Sequence, residues 1–163
     1  GVQTCALPIY FGDELVKVPG LDGSTKMSKT GGETNAIFLN EEPESIRKKI
    51  MRAKSDGGPT TMNQEKPQEI INLFELMKIV STPDTLAFFD NAYNNCVIRY
   101  GDMKKQLAED MVNYLTPIRT RINELINNEA YLQRVVSRGA EEARESAAKT
   151  ISEVRKIMGI SYF

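Results

Sequence analysis

Lys26 and Lys29 stand three positions apart in the run Lys26-Met27-Ser28-Lys29-Thr30, which also carries hydroxyls at Ser28 and Thr30. Glycines flank the run on both sides, at Gly20, Gly23, Gly31 and Gly32. Lysine supplies a flexible point charge suited to phosphate oxygens. Glycine allows φ > 0 and lets the backbone approach a ligand closely. These residue types describe a loop able to meet a polyphosphate. The same composition also fits an exposed polar loop with incidental lysines, and composition alone leaves both readings open. Met27 is expected to anchor the loop by packing, beside whatever ligand the lysines meet.

Such a loop needs elements to hold it. Residues 10–41 are rich in Gly and β-formers, and Leu15-Val16-Lys17-Val18 and Ala36-Ile37-Phe38-Leu39 read as short strands around the loop. They would form the trailing edge of an α/β domain. Residues 42–163 read as helical, so the expected fold class is mainly α. Pro43 suits a first turn, and Ile46, Ile50 and Ala53 make a stripe at i, i+4, i+7. Pro67 opens a second helix that is apolar around most of its circumference, and Ser81-Thr82-Pro83-Asp84 caps a third. Gly101-Asp102 starts a long helix to about Asn127 with an expected kink at Pro117. Two more helices are expected, Glu129–Arg138 stopped at Gly139, and Ala140–Met158. Leu73, Phe74, Met77, Ile79, Leu107, Met111, Leu115, Ile118 and Ile122 should share one core of a helical bundle.

Composition narrows the function classes. The chain has 163 residues, 21 basic and 22 acidic side chains, and a net charge of −1. Global charge therefore does not hold it to nucleic acid, although local contact by a few Arg and Lys stays open. No apolar run approaches the ~20 residues that span a bilayer, so no membrane partner is expected. A cytoplasmic location is expected too, since no signal-peptide pattern is present. There is no histidine, and the two cysteines, Cys5 and Cys96, support neither a disulfide framework nor a metal site. Cys96, beside Val97 and Ile98, reads as a small buried apolar residue.

The run LDGSTKMSKTGGETNAIFL resembles the lysine-loop segment of class I aminoacyl-tRNA synthetases, in its tryptophanyl version. The resemblance rests on KMSKT together with ordered context. Gly20-Leu21-Asp22-Gly23 precedes it, and Asn35-Ala36-Ile37, Pro43-Glu44-Ser45-Ile46-Arg47-Lys48-Lys49-Ile50 and Arg52-Ala53-Lys54-Ser55-Asp56 follow. It runs from about Tyr10 to Phe163 and looks like the carboxy-terminal half of such an enzyme. The family's His-Ile-Gly-His-like segment is missing, as a chain without histidine requires. The first nine residues, GVQTCALPI, do not resemble the family. They look like the translation of a sequencing-library adaptor and are expected to carry no function.

The resemblance implies an ATP-dependent tryptophan–tRNA ligase as the parent protein. Its substrates and partners would be ATP, tryptophan and tRNA(Trp), its full-length state a homodimer, and the fragment alone inactive. Residues 10–41 would be the edge of the nucleotide-binding α/β domain, of Rossmann type, and residues 42–163 a helical anticodon-binding domain. Lys26 and Lys29 would be the catalytic lysines, and Lys26, Met27, Ser28, Lys29 and Thr30 the ATP-binding set. Mg²⁺ would arrive on ATP, held by phosphate and water, with no dedicated protein ligands. Thr30 stands where the family usually has Ser, and Gly31-Gly32 where bulkier residues are common, which argues for a looser loop. Candidate RNA contacts are Arg99, Lys104, Lys105, Arg119, Arg121, Arg134 and Arg138, with Tyr100 or Tyr131 able to stack on a base. The alternatives are a tyrosyl-tRNA synthetase fragment, or a non-catalytic helical RNA-binding or interaction module in which KMSKT is incidental.

Overall fold

The computed structural model describes residues 17–28, 32 and 34–160. The adaptor-like segment, the expected strand as far as Val16, and Lys29 and Thr30 of the loop lie outside the described residues. Five helices follow in order, α1 (Pro43–Arg52), α2 (Gln68–Val80), α3 (Pro83–Asn94), α4 (Tyr100–Ile126) and α5 (Glu129–Ile157). The chain divides into two units, one ending at Ile122 and the other beginning at Asn123.

In the first unit the helix starts fall where the sequence places them. Pro43 takes the first turn of α1, and its missing N–H is one the helix would leave unpaired in any case. The Thr82 hydroxyl accepts the Thr85 N–H at 3.3 Å and caps α3, with Pro83 next in line. The α1 stripe of Ile46, Ile50 and Ala53 is buried, as the i, i+4, i+7 spacing requires. It packs into one cluster with Ile70, Leu73, Leu76 and Met77 of α2, Phe89 and Tyr93 of α3, and Met103, Leu107, Met111 and Leu115 of α4. Of the nine expected core residues, Leu73, Phe74, Met77, Leu107, Met111 and Leu115 are buried in this cluster and Ile118 packs at its edge. Ile79 and Ile122 are only half-buried. Each buried aliphatic side chain is worth roughly 1.5–3 kcal/mol by removal from water.

α4 continues through Pro117 without a break in its helical assignment. The proline leaves one carbonyl without its usual donor, and next to it the Thr116 hydroxyl donates to Val112 O at 2.7 Å. α1 and α4 are tied on their outer faces. Arg47 gives Glu109 a two-pronged contact, Nε to Oε1 at 2.7 Å and Nη2 to Oε2 at 2.9 Å, and its Nη1 meets Glu44 at 2.7 Å.

Two sequence expectations fail in this unit. Ala36–Leu39 forms no strand, and no strand occurs among the described residues. A strand needs a ladder, and here the amides turn to side chains: Ile37 N–H donates to Met27 Sδ at 3.4 Å and Phe38 N–H to the Glu41 carboxylate at 3.0 Å. Cys96 is exposed, not buried. It ends α3 in the left-handed region at φ 57°, its N–H donating to Tyr93 O while the Val97 N–H donates to Ala92 O. That paired closure is a Schellman turn, with cysteine where glycine is usual. The left-handed conformation costs a non-glycine residue roughly 1–2 kcal/mol. Glycine returns part of this as unfolded-chain entropy. Cys96→Gly is therefore expected to stabilise the unit by about 0.5–1 kcal/mol, read as a higher urea midpoint with an unchanged slope; a lower midpoint would refute the strain.

The second unit contains α5, capped by the Asn128 carboxamide oxygen, which accepts Tyr131 N–H at 3.1 Å. Gly139 does not stop a helix. α5 runs unbroken from Glu129 to Ile157, because strong helix formers on both sides outweigh the ~1 kcal/mol that one glycine costs. α5 has no buried residue among those described, so the apolar side formed by Ala143, Ala147, Ile151, Val154 and Met158 is exposed.

Candidate functional site

The described part of the lysine run, Lys26–Ser28, follows a tight turn. Gly20 N–H donates to Ser24 O at 3.0 Å, and Ser24 N–H donates to the Asp22 carboxylate at 2.9 Å. The Ser24 side chain, with that amide bond after it, holds the Asp22 carboxyl below its ordinary value. Gly23 sits at φ 92°, which glycine adopts without strain. Gly20 is needed for space. A Cβ there would come within 2.1 Å of Asn35 Oδ1 and 2.3 Å of Ser24 Oγ.

Asn72 fastens this turn to the helical core, and Asn35 braces it through its backbone. Asn72, buried at 3% exposure in the apolar face of α2, donates to Gly20 O at 3.2 Å and Ser24 O at 2.8 Å. Its own oxygen accepts from Gln68 at 2.9 Å. Asn35 is buried beside the turn, and its backbone carbonyl accepts Leu21 N–H at 3.2 Å. Its side-chain oxygen finds no partner among the described residues. Sequence reasoning missed both. Asn72 did leave a signal, as a lone amide among Ile70, Ile71, Leu73, Phe74, Leu76 and Met77.

Met27 is the packing anchor the sequence suggests. It is half-buried against the core, its N–H donates to Val18 O at 2.7 Å, and its sulfur accepts Ile37 N–H. Lys26 beside it is exposed, and Ser28 is half-buried. The structure thus places a cation, a half-buried anchor and a hydroxyl in succession after a braced turn.

Behind the turn, Lys49 reaches back from α1. It pairs with Glu41 at 2.6 Å, donates to Ala36 O at 2.9 Å and lies 5.0 Å from the centre of the Phe38 ring. Burial pushes the Glu41 carboxyl up, but Lys49, Ser45 and the Phe38 amide together hold it below its ordinary value.

The expected RNA-contact residues separate into different environments. Lys104 does not face solvent as that expectation requires. It is 7% exposed, and its ammonium closes the end of α1 by donating to Ala53 O at 2.7 Å and Ser55 Oγ at 2.9 Å. Burial pushes its pKa down. Tyr100 packs against the core with its hydroxyl buried, and that burial raises its pKa. Arg119 leans on the start of α1, 3.7 Å from Glu42 and 3.5 Å from Glu41 O. Arg99, Lys105 and Arg121 are exposed in the first unit. Arg134, Arg138 and Tyr131 are exposed on α5, where Arg138 pairs with Glu142 at 2.8 Å.

The model of the class I tRNA synthetases for tryptophan and tyrosine matches residues 11–116. The tryptophan–tRNA ligase of Porphyromonas gingivalis is 54% identical over 148 residues, covering 91% of this chain and 45% of that protein. The Helicobacter pylori tryptophan–tRNA ligase is 36% identical over 146 residues, covering 88% and 43%. A crystal structure of Campylobacter jejuni tryptophanyl-tRNA synthetase with ADP and tryptophan superposes with a TM-score of 0.70 at 24% identity, covering 91% and 45%. The chain spans about half the length of these relatives. With a family match over well more than half of its residues, the chain belongs to the class I tRNA synthetases of the tryptophan and tyrosine type.

Proposed function

We propose that this chain is the lysine-loop and helical portion of an ATP-dependent tryptophan–tRNA ligase. The observation that carries the reading is the 54% identity to the Porphyromonas gingivalis tryptophan–tRNA ligase across nearly the whole chain. The braced lysine loop supports it chemically. In this reaction the tryptophan carboxylate attacks the α-phosphorus of ATP, the α–β bridging bond breaks, and pyrophosphate leaves with the negative charge. Cations aimed at that pyrophosphate stabilise the transition state more than the ground state. Lys29 has the closer contact and Lys26 the supporting one, while Ser28 and Thr30 donate hydroxyl hydrogen bonds to phosphate or to the loop backbone. Mg²⁺ comes with the nucleotide, since the loop's cations and hydroxyls suit phosphate and not a divalent ion.

In the same reading the helices hold tRNA(Trp), through Arg99, Lys105, Arg119, Arg121, Arg134 and Arg138, with Tyr131 the better placed stacking ring. Lys104 has no part in it. The full-length enzyme is cytoplasmic and works as a homodimer. Tryptophan is preferred over tyrosine because the relatives above are tryptophan enzymes.

The test is amino-acid-dependent exchange of pyrophosphate into ATP by the protein expressed from its complete coding sequence. Exchange is expected with tryptophan and not with tyrosine. The 163-residue chain alone is expected to show none, because it contains no histidine and so lacks a His-Ile-Gly-His-like segment. Tyrosine-dependent exchange would overturn the assignment of substrate, and absence of exchange with either amino acid the assignment of activity.

A further inference from the structure

Between the Asp22 turn and the last turns of α1 lies a cavity of about 400 Å³, lined among others by Asp22, Thr34, Ser45, Lys48, Arg52 and Lys54. Most of the acids around it are committed elsewhere. Glu41 holds Lys49, Glu44 and Glu109 hold Arg47, and Glu42 faces Arg119. Asp22, itself in the wall, accepts the Ser24 amide and also feels the charge of Lys54. Lys48, Arg52 and Lys54 are exposed, and among the described residues none of them has a carboxylate in ion-pair contact. Lys48 and Arg52 are also four positions apart on one helix, a like-charge spacing that disfavours the helix. Lys54 folds against the turn, since a Cβ on Gly23 would lie 3.5 Å from its Cδ and 4.0 Å from its Nζ.

Basic residues in a last helical turn do complement the helix dipole. That accounts for Arg52 in α1 but not for Lys54, which lies beyond the helix, nor for the hydroxyl residue Thr34 in the same wall. A chain with net charge −1 concentrates three cations here, none of them in direct ion-pair contact with a described carboxylate. We infer that this cavity is a phosphate-binding site distinct from the lysine loop, with Lys48, Arg52 and Lys54 as its cations and Thr34 as a neutral donor. Its ligand is a phosphate group of an RNA backbone or of a nucleotide's polyphosphate tail. The cavity exceeds what one phosphate needs, so neighbouring phosphates on one ligand fit it.

The experiment uses the full 163-residue chain and two probes: inorganic pyrophosphate by calorimetry, and a tRNA acceptor-stem hairpin by anisotropy at several salt concentrations. The double variant Lys48→Gln with Arg52→Gln is expected to weaken binding at least tenfold. If the source is RNA, the hairpin weakens and its log–log salt slope falls by about 1–2, one for each phosphate no longer neutralised. If the source is a nucleotide tail, pyrophosphate weakens instead. Lys54→Gln should reproduce the effect in smaller measure, and Arg47→Gln, whose charge is already paired, should leave it within twofold. All these side chains except that of Arg47 are exposed, so circular dichroism should match the wild-type chain. Unchanged affinity for both probes in the double variant overturns the inference, as does an equal weakening in Arg47→Gln. A Lys26→Gln, Lys29→Gln variant keeps the outcome separate from the ligase reading, because it empties the loop of cations and leaves this cavity intact.

Discussion

Phe74→Ala is expected to destabilise the first unit by about 3–5 kcal/mol, the upper part of the range for large-to-small changes in a packed interior. The ring is 6% exposed and meets Tyr93 edge-on, with centroids 6.4 Å apart at 86°. Lys66 lies over both rings, 5.0 Å from the Phe74 centroid and 4.7 Å from that of Tyr93, while its ammonium pairs with Asp90 at 2.8 Å. Truncation therefore opens a cavity and strips the cation of half its aromatic platform. A domain has only ~5–15 kcal/mol in total, so the variant should sit close to its unfolding transition at room temperature. Urea unfolding checks this: the midpoint should fall sharply with the slope unchanged. A destabilisation below about 1 kcal/mol would mean that the Phe74 ring is not part of the packed core.

The second large effect belongs to chemistry. In the full-length protein, Lys29→Ala should slow adenylate formation ~10²–10³-fold, the usual consequence of removing one preorganised electrostatic donor. Tryptophan affinity should hardly change, because the loop meets phosphates. Single-turnover kinetics separates the two. A slowing of less than about fivefold would remove Lys29 from its assigned role and shift the weight to Lys26.

The sequence made most of the helical frame legible because its marks are local. Prolines at 43, 67 and 83 and the Thr82 cap sit at helix starts, and the 3.6-residue period of α1, α2 and α4 marks their buried faces. What stayed hidden depended on three-dimensional partners. Lys104 looks like a solvent lysine beside Lys105, yet it shares a helical face with Met103, Leu107 and Ala108, and only the fold supplies the Ala53 carbonyl it caps. Ala36–Leu39 has strand-forming residues, but what its amides meet is a thioether and a carboxylate. Gly139 carries a stop signal that its neighbours overrule. Of the loop, the anchoring role of Met27 was legible from residue type, while its bracing by Asn35 and Asn72 was not.

Asn72 has a consequence for how the molecule opens. Its amide bridges two carbonyls of the turn from inside an apolar helix face, so the turn cannot lift away without leaving that amide buried and unpaired, at a cost of roughly 1–3 kcal/mol. Leu21 is bound into the same joint, receiving the Lys54 N–H and giving its own to Asn35. The base of the lysine loop and α2 therefore behave as one cooperative block in local unfolding.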